Sequence, residues 1–313
     1  LSKLPLILKP WDIIGGLSKE AALITGLKQG TPIIAGCGDT SANMLGAGMN
    51  TPGMIFDIAG TASVFAICVD KFAPDVKHKT LFTARLVPDD LWYSLGYING
   101  GGQNLRWFKD ILVFLAGRSI KDKDEIRFKD LDEAASKVGI GSDNLIFIPH
   151  LAGRTCPNIS NIKGSWIGLE WRHGSEHLYR SILESVAYEY AMYLNIEKEL
   201  IPDLKLVETR VIGGGSKSDL WNKIKADILN MPYKVLNKEE FGVWGSAIIA
   251  GYGVGIFKDL KETANNHVEI EKTIDPEAEN NKAYSKFVKY YSELLKQVIP
   301  IYEKFKQQFQ DGK

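Results

Sequence analysis

The sequence predicts a mixed α/β fold, and three observations carry that prediction. Two junctions, Thr31 to Gly48 and Thr209 to Trp221, each read as a short apolar run that stops at glycines and turns into helical periodicity. Paired β-rich runs joined by short turns fill much of the first hundred residues. Later, strands alternate with helices.

Element by element, residues 1–30 read as a lead-in, broken at Leu4-Pro5, Lys9-Pro10 and Gly15-Gly16, with a short helix over Ser18–Thr25 that ends at Gly26. Thr31–Ala35 reads as a buried strand. Thr40–Met49 reads as a helix whose small residues (Ala42, Gly46, Ala47, Gly48) suit close packing against a sheet. Gly53–Ala59 and Ser63–Val69 form a hairpin around Gly60-Thr61-Ala62, and Thr80–Leu86 pairs with Leu91–Ile98 across Val87-Pro88-Asp89-Asp90. Asn99-Gly100-Gly101-Gly102 opens a helix over Leu105–Ala116. Residues 117–143 are charged and read as a solvated loop plus a surface helix over Leu131–Val138. Leu145–Pro149 is a short strand expected to return to the same sheet. Helices follow over Gly174–Leu200, Asp219–Leu229, Gly245–Val254 and Glu279–Gln310, the last with a kink expected near Pro300. A strand is expected over Val207–Ile212.

Composition narrows the function classes. Lys plus Arg and Asp plus Glu both count 38, so the formal net charge is zero. Nucleic-acid binding driven by phosphate neutralisation, which needs a basic surface, is disfavoured. No apolar run reaches the ~18 residues that span a bilayer, so no membrane association is expected. The three cysteines, Cys37, Cys68 and Cys156, are widely spaced and form no C-x-x-C, which fits a reducing, cytoplasmic setting. The chain opens on Leu1 and shows no signal peptide; it is expected to be part of a longer protein.

Four groups of residues could carry chemistry. Asp39 follows a strand and is flanked by Gly36 and Gly38, which let another group approach the backbone. Its carboxylate suits a general base or, equally, a helix start. Gly60-Thr61-Ala62-Ser63 is either a phosphate cradle or an ordinary hairpin turn. Gly213-Gly214-Gly215-Ser216-Lys217-Ser218 lets a flat ligand face lie on the main chain, with Ser216 or Ser218 free to cap the next helix. It has neither the Walker A nor the G-x-G-x-x-G spacing. His173 and His177 flank Glu176 but read as polar residues at a helix start rather than metal ligands.

Taken as an ordered set, these elements resemble the C-terminal half of the FGGY family of carbohydrate kinases over nearly the whole chain. The lead-in Gly15-Gly16-Leu17 to Pro32, the Ala35-Gly36-Cys37-Gly38-Asp39 motif, Gly60-Thr61, Gly102 ahead of Trp107, the Gly174–Ala187 helix signature, and Gly213–Trp221 with Ala226-Asp227 all match in order. The resemblance implies an actin-like ATPase (ribonuclease H-like) domain, a mixed sheet flanked by helices. It would span 1–313, with 1–30 as a lead-in from the interdomain region and the N-terminal sugar-binding domain absent. It implies Asp39 as catalytic base, ATP phosphates at Gly60 and Thr61, and a nucleotide contact at Gly102. Adenosine would sit on Gly214, Gly215 and Ser218, with ATP and Mg²⁺ as cofactors and a sugar as substrate. A homodimer is compatible with it.

Within the family, Ala152–Pro157 and Gly213–Ser218 look most like xylulokinases, which points to D-xylulose. The chain departs from the pattern at Ala152-Gly153-Arg154, without an acidic residue before the arginine, and at Glu239–Trp244 ahead of the Gly245 helix. Another ketose, a polyol or an aldonate remains open as substrate. So does a non-catalytic actin-like nucleotide-binding module. The isolated chain is expected to bind nucleotide weakly and to phosphorylate nothing.

Overall fold

A computed structural model describes residues 3, 5–115, 126–237 and 240–310. Ala116, the first part of the charged run 117–143, and Glu239 lie outside the described residues. In chain order the elements begin with β1 (Ile13–Gly16), α1 (Lys19–Thr25), β2 (Pro32–Ile34) and α2 (Asp39–Gly46). The strands β3 (Ile55–Ala59), β4 (Ser63–Val69), β5 (Phe82–Arg85) and β6 (Trp92–Ile98) follow. Then come α3 (Gly101–Leu115), α4 (Phe128–Ser136), β7 (Ile146–Ile148), β8 (Ser165–Ile167) and α5 (Ser175–Leu200). The remainder is β9 (Thr209–Ile212), α6 (Asp219–Leu229), β10 (Tyr233–Leu236), α7 (Phe241–Gly253), α8 (Leu260–Asn265), β11 (Ile270–Ile274) and α9 (Ala278–Gln310).

Seven strands form one mixed sheet in the order β11-β10-β9-β3-β4-β6-β5. The β10–β9 and β9–β3 pairs are parallel and the others antiparallel. Strand side chains alternate between two cores, as period-2 geometry requires. Ile55, Phe65, Ile67 and Val211 face the core built with α5 and α6, where Phe65 stacks on Tyr190 at 4.5 Å between ring centroids. Phe56, Ala66, Cys68 and Ile212 face the opposite core, built with Met44 and Ala47 from the α2 region and Phe241 of α7. Burying each of the larger side chains, Ile, Val, Phe and Met, contributes about 1.5–3 kcal/mol.

Several expectations are corrected. The strand at Thr31–Ala35 is not buried: it shortens to Pro32–Ile34 and pairs with β1, inside the expected lead-in, as a two-stranded ladder outside the main sheet. Apolar content alone suggested burial, but no second layer covers Ile13, Ile14 or Ile33. The strand after the charged region does not return to the sheet. It pairs with β8, a three-residue strand too short for a periodic signal, in a separate ladder. The small residues of the α2 region divide between two neighbours: Ala47 packs in the core under the sheet, while a side chain at Gly46 would run into the Phe241 carbonyl and one at Gly245 into the Ala42 carbonyl, so Gly46 and Ala42 meet helix α7. Strands β10 and β11 and helix α8 carried too little periodicity to be anticipated.

Candidate functional site

Ala59, the last residue of β3, is where the glycine motifs meet. The hairpin turn closes with the Gly60 N–H donating to the Ala62 carbonyl at 3.1 Å, while Ala59 pairs with Ser63 across the ladder. The first turn of α3 docks on this turn. Its N–H groups have no partner within the helix, so Gly102 N–H donates to the Gly60 carbonyl (3.0 Å) and Gln103 N–H to the Thr61 carbonyl (2.9 Å). The approach demands glycine: a Cβ on Gly102 would stand 2.3 Å from the Gly60 carbonyl oxygen, and one on Gly101 only 1.7 Å from Ser63 Oγ.

The second junction arrives from the neighbouring strand, with Ile212 of β9 beside Ile58 of β3. Gly213 takes a left-handed φ of +89°, and a Cβ there would lie 2.9 Å from the Ala59 carbonyl oxygen. A Cβ on Gly215 would meet the Trp221 ring at 2.4 Å and Ala59 Cβ at 2.8 Å. Gly214 differs: among the described residues nothing lies within 4 Å of the position its Cβ would take. Gly213 and Gly215 therefore satisfy packing, while Gly214 leaves bare backbone facing open space.

Ser218 is the N-cap of α6, its Oγ accepting from Trp221 N–H at 3.0 Å. The Asp132 carboxylate accepts from Tyr179 Oη at 3.0 Å; burial pushes the Asp132 carboxyl up from its ordinary range, with the Ser218 and Tyr179 hydroxyls opposing that shift. Trp221 is fixed in turn by an Nε1–H bond to the Leu183 carbonyl at 3.0 Å.

Asp39 is not part of this contact set. It is the exposed first residue of α2, on the other face of the sheet, with Gly38 in the N-cap position. Its hydrogen bonds are local: Oδ1 accepts from Thr40 N–H at 2.7 Å and from the Thr40 hydroxyl at 3.4 Å. The far end of α2 is held by Arg210, whose guanidinium donates to the Ala47 and Gly48 carbonyls. A carboxylate at this position interacts favourably with the helix dipole and stays open to a partner from outside the chain. The structure thus brings Gly60, Thr61, Gly102, Gly214, Gly215 and Ser218 together, and leaves Asp39 on a separate element.

Sequence reasoning missed the residues that brace this junction. Asn99 Nδ2 donates to Thr155 Oγ1 at 2.7 Å, and the buried Asn104 Nδ2 donates to the Pro149 carbonyl at 2.9 Å. Glu189, buried in α5, accepts from Arg154 Nη2 (2.8 Å) and Tyr291 Oη (2.7 Å) and meets His150 Nε2 at 3.1 Å. Asn99, beside three glycines, had a local signal; Glu189, 35 positions from Arg154, had none. His173 and His177 accept from the Glu170 and Gly174 N–H groups, as helix-start residues do. Among the described residues no group of three His, Cys, Asp or Glu side chains could hold a metal ion, and no helix is long and apolar enough to cross a membrane.

Comparison with known proteins bears on this geometry. The model for the FGGY family of carbohydrate kinases, C-terminal domain, matches residues 58–254. A xylulose kinase from Bacillus subtilis (strain 168) is 28% identical over 291 residues, covering 93% of this chain and 56% of the relative. A gluconokinase from the same strain is 29% identical over 271 residues, covering 83% and 52%. The chain thus spans about half the length of these relatives. Among solved structures, ligand-bound xylulose kinase from Lactobacillus acidophilus superimposes with a TM-score of 0.84 at 24% identity, over 97% of this chain and 59% of that one.

Proposed function

The chain belongs to the FGGY family of carbohydrate kinases and has its actin-like ATPase fold, and from that premise we propose that it is the nucleotide-binding half of an enzyme that transfers the γ-phosphoryl group of ATP to a sugar hydroxyl. The observation that carries this reading is the convergence of Gly60, Gly102 and Gly213–Gly215 on Ala59. One strand end there offers a hydroxyl-bearing turn for phosphates and, beside it, bare backbone for a flat ring.

In this reading the Thr61 hydroxyl and the neighbouring N–H groups hold the phosphates, with Gly102 keeping α3 close behind them. Adenosine lies on Gly214 and Gly215, and Ser218 fixes the start of α6 next to it. Mg²⁺ enters as part of the MgATP substrate, held chiefly through the phosphates. The sugar, together with most of its contacts, belongs to an N-terminal domain that the longer relatives have room for. As the sugar oxygen attacks the γ-phosphorus, the bond to the ADP oxygen breaks and the hydroxyl proton passes to Asp39. Closure of the two halves brings the sugar hydroxyl to the exposed Asp39 and excludes water from the phosphoryl group.

D-xylulose, giving xylulose 5-phosphate, is the favoured substrate, because xylulose kinases align over more than nine-tenths of this chain. The similar identity to a gluconokinase supports a second reading, an aldonate kinase. The test is ADP release from MgATP by the chain in its full-length context, across ketoses, polyols and aldonates, with Asp39→Asn as control. Stimulation by one sugar that disappears in the variant supports the kinase and names its substrate. Nucleotide binding with no stimulation by any member of the panel favours a non-catalytic nucleotide-binding module.

A further inference from the structure

The buried Glu189 cluster lies outside the glycine junction but is tied to it through one continuous path. We infer that Glu189 is a positioning residue for the phosphate-holding turn, acting through Arg154, the 149–157 segment and the first turn of α3; this rests on the nucleotide reading above.

The path begins at Glu189, whose side chain is fully buried in the middle of α5. Arg154 Nη2 and His150 Nε2 bind it from one chain segment, and Tyr291 Oη binds it from α9. The Arg154–Glu189 contact pairs opposite charges away from water, where such a bond is short, strong and directional. These bonds fix residues 150 and 154, and between them Gly153 makes a left-handed turn at φ +85°. The same segment bonds the α3 start at two points: Thr155 Oγ1 takes the Asn99 side chain and the Pro149 carbonyl takes the Asn104 side chain. Asn99 and Asn104 bracket Gly102 and Gln103, whose N–H groups donate to the Gly60 and Thr61 carbonyls.

Removing one partner of a buried charge pair leaves the other uncompensated, so Glu189 substitutions also threaten the fold. Thr155 offers the separate handle. Its side chain is exposed, and its bond to Asn99 is one of the two links between this segment and the start of α3. Loss of that link loosens the seat of α3 without opening the core.

The experiment is titration of the chain with ADP and, separately, with adenosine, for the unaltered protein, Thr155→Val, Thr155→Ser and Glu189→Gln, with Tm measured for each. The phosphate turn engages ADP but not adenosine, so positioning predicts selective loss. Thr155→Val is expected to keep its Tm, weaken ADP about three- to tenfold and leave adenosine within twofold, while Thr155→Ser retains ADP affinity. Glu189→Gln is expected to lose ADP selectively and more strongly; if it does not fold, Thr155→Val decides alone. Equal weakening of both ligands, or ADP affinity within twofold of the unaltered protein in folded Thr155→Val, overturns the inference. An unaltered chain that binds neither ligand removes the nucleotide reading itself, a result distinct from either.

Discussion

Lys225 Nζ of α6 lies 2.5 Å from Asp57 Oδ2 of β3, and neither side chain is exposed to solvent. Asp57 also accepts from Tyr190 Oη at 2.8 Å, so one carboxylate joins the strand leading to Gly60 to both α5 and α6. The ammonium sits over the Trp221 ring at 4.4 Å. Burial lowers the Lys225 pKa from its ordinary value, with Asp57 opposing that shift. Lys225→Met leaves an uncompensated buried carboxylate and is expected to destabilise the chain by about 3–5 kcal/mol. Asp57→Asn combined with Lys225→Met is expected to recover much of that loss. Chemical denaturation of both variants measures it, and a single variant as stable as the parent would show that the pair contributes nothing.

Gly102 and Gly214 make opposite predictions. Gly102→Ala drives a methyl group to 2.3 Å from the Gly60 carbonyl oxygen, so α3 must move off the turn; loss of both stability and ADP affinity is expected. Gly214→Ala meets nothing within 4 Å among the described residues and is expected to leave Tm unchanged, yet to weaken adenosine and ADP by about tenfold, because the methyl occupies the ligand's place. Tm together with nucleotide titration separates the two. Unchanged nucleotide affinity in Gly214→Ala would remove the adenosine from this glycine.

The contrast explains how much of the site was legible in the sequence. Glycine at 60, 102 and 213–215 is a local signal, because the backbone conformation and close approach it permits are written at the position itself. Asp219–Leu229 was legible to the residue, since Ser218 supplies a cap and Asn230 a left-handed stop. The Glu189–Arg154 and Asp57–Lys225 bonds join positions far apart in the chain, and each charge alone reads as an ordinary surface residue. Strand β2 misled in the other direction: a run of Pro32, Ile33 and Ile34 looks like core, but burial depends on a covering layer that the run itself does not encode.

Glu197 predicts an unusual pH dependence. It is buried on α5, and among the described residues neither of its oxygens, nor the nearby Ser94 hydroxyl, has a hydrogen-bond partner. Burial, aided by Asp75, raises its pKa from an ordinary 4.5 to about 7, with Ser94 pulling the other way. Between those values the folded chain holds a proton that the unfolded chain has released. Its contribution to stability is therefore full below pH 4.5, falls as pH rises towards 7 and is lost above it, with a span of order 3 kcal/mol. Glu197→Gln cannot ionise and is expected to have the higher Tm at pH 8 and a flatter profile from pH 5 to 7. Parallel Tm profiles for the two proteins would count against it.

Asp39 carries the sharpest functional prediction because its position argues against a structural role. The side chain is exposed, among the described residues bonds only to its neighbour Thr40, and leaves the N-cap position to Gly38. Asp39→Asn keeps the shape and removes the charge, at a site where no buried group depends on it. Loss of favourable interaction with the α2 dipole is expected to lower stability by less than about 1 kcal/mol. A general base is needed when the substrate proton leaves, not when nucleotide binds. Phosphoryl transfer in the full-length context is therefore expected to fall by two orders of magnitude or more, while ADP affinity stays within twofold. Steady-state turnover and ADP titration on the same preparation measure the two effects. Retention of more than about a tenth of the turnover, a far smaller loss than removal of a general base produces, would assign the proton to another acceptor. A parallel loss of ADP affinity would instead make Asp39 part of the nucleotide's electrostatic surroundings.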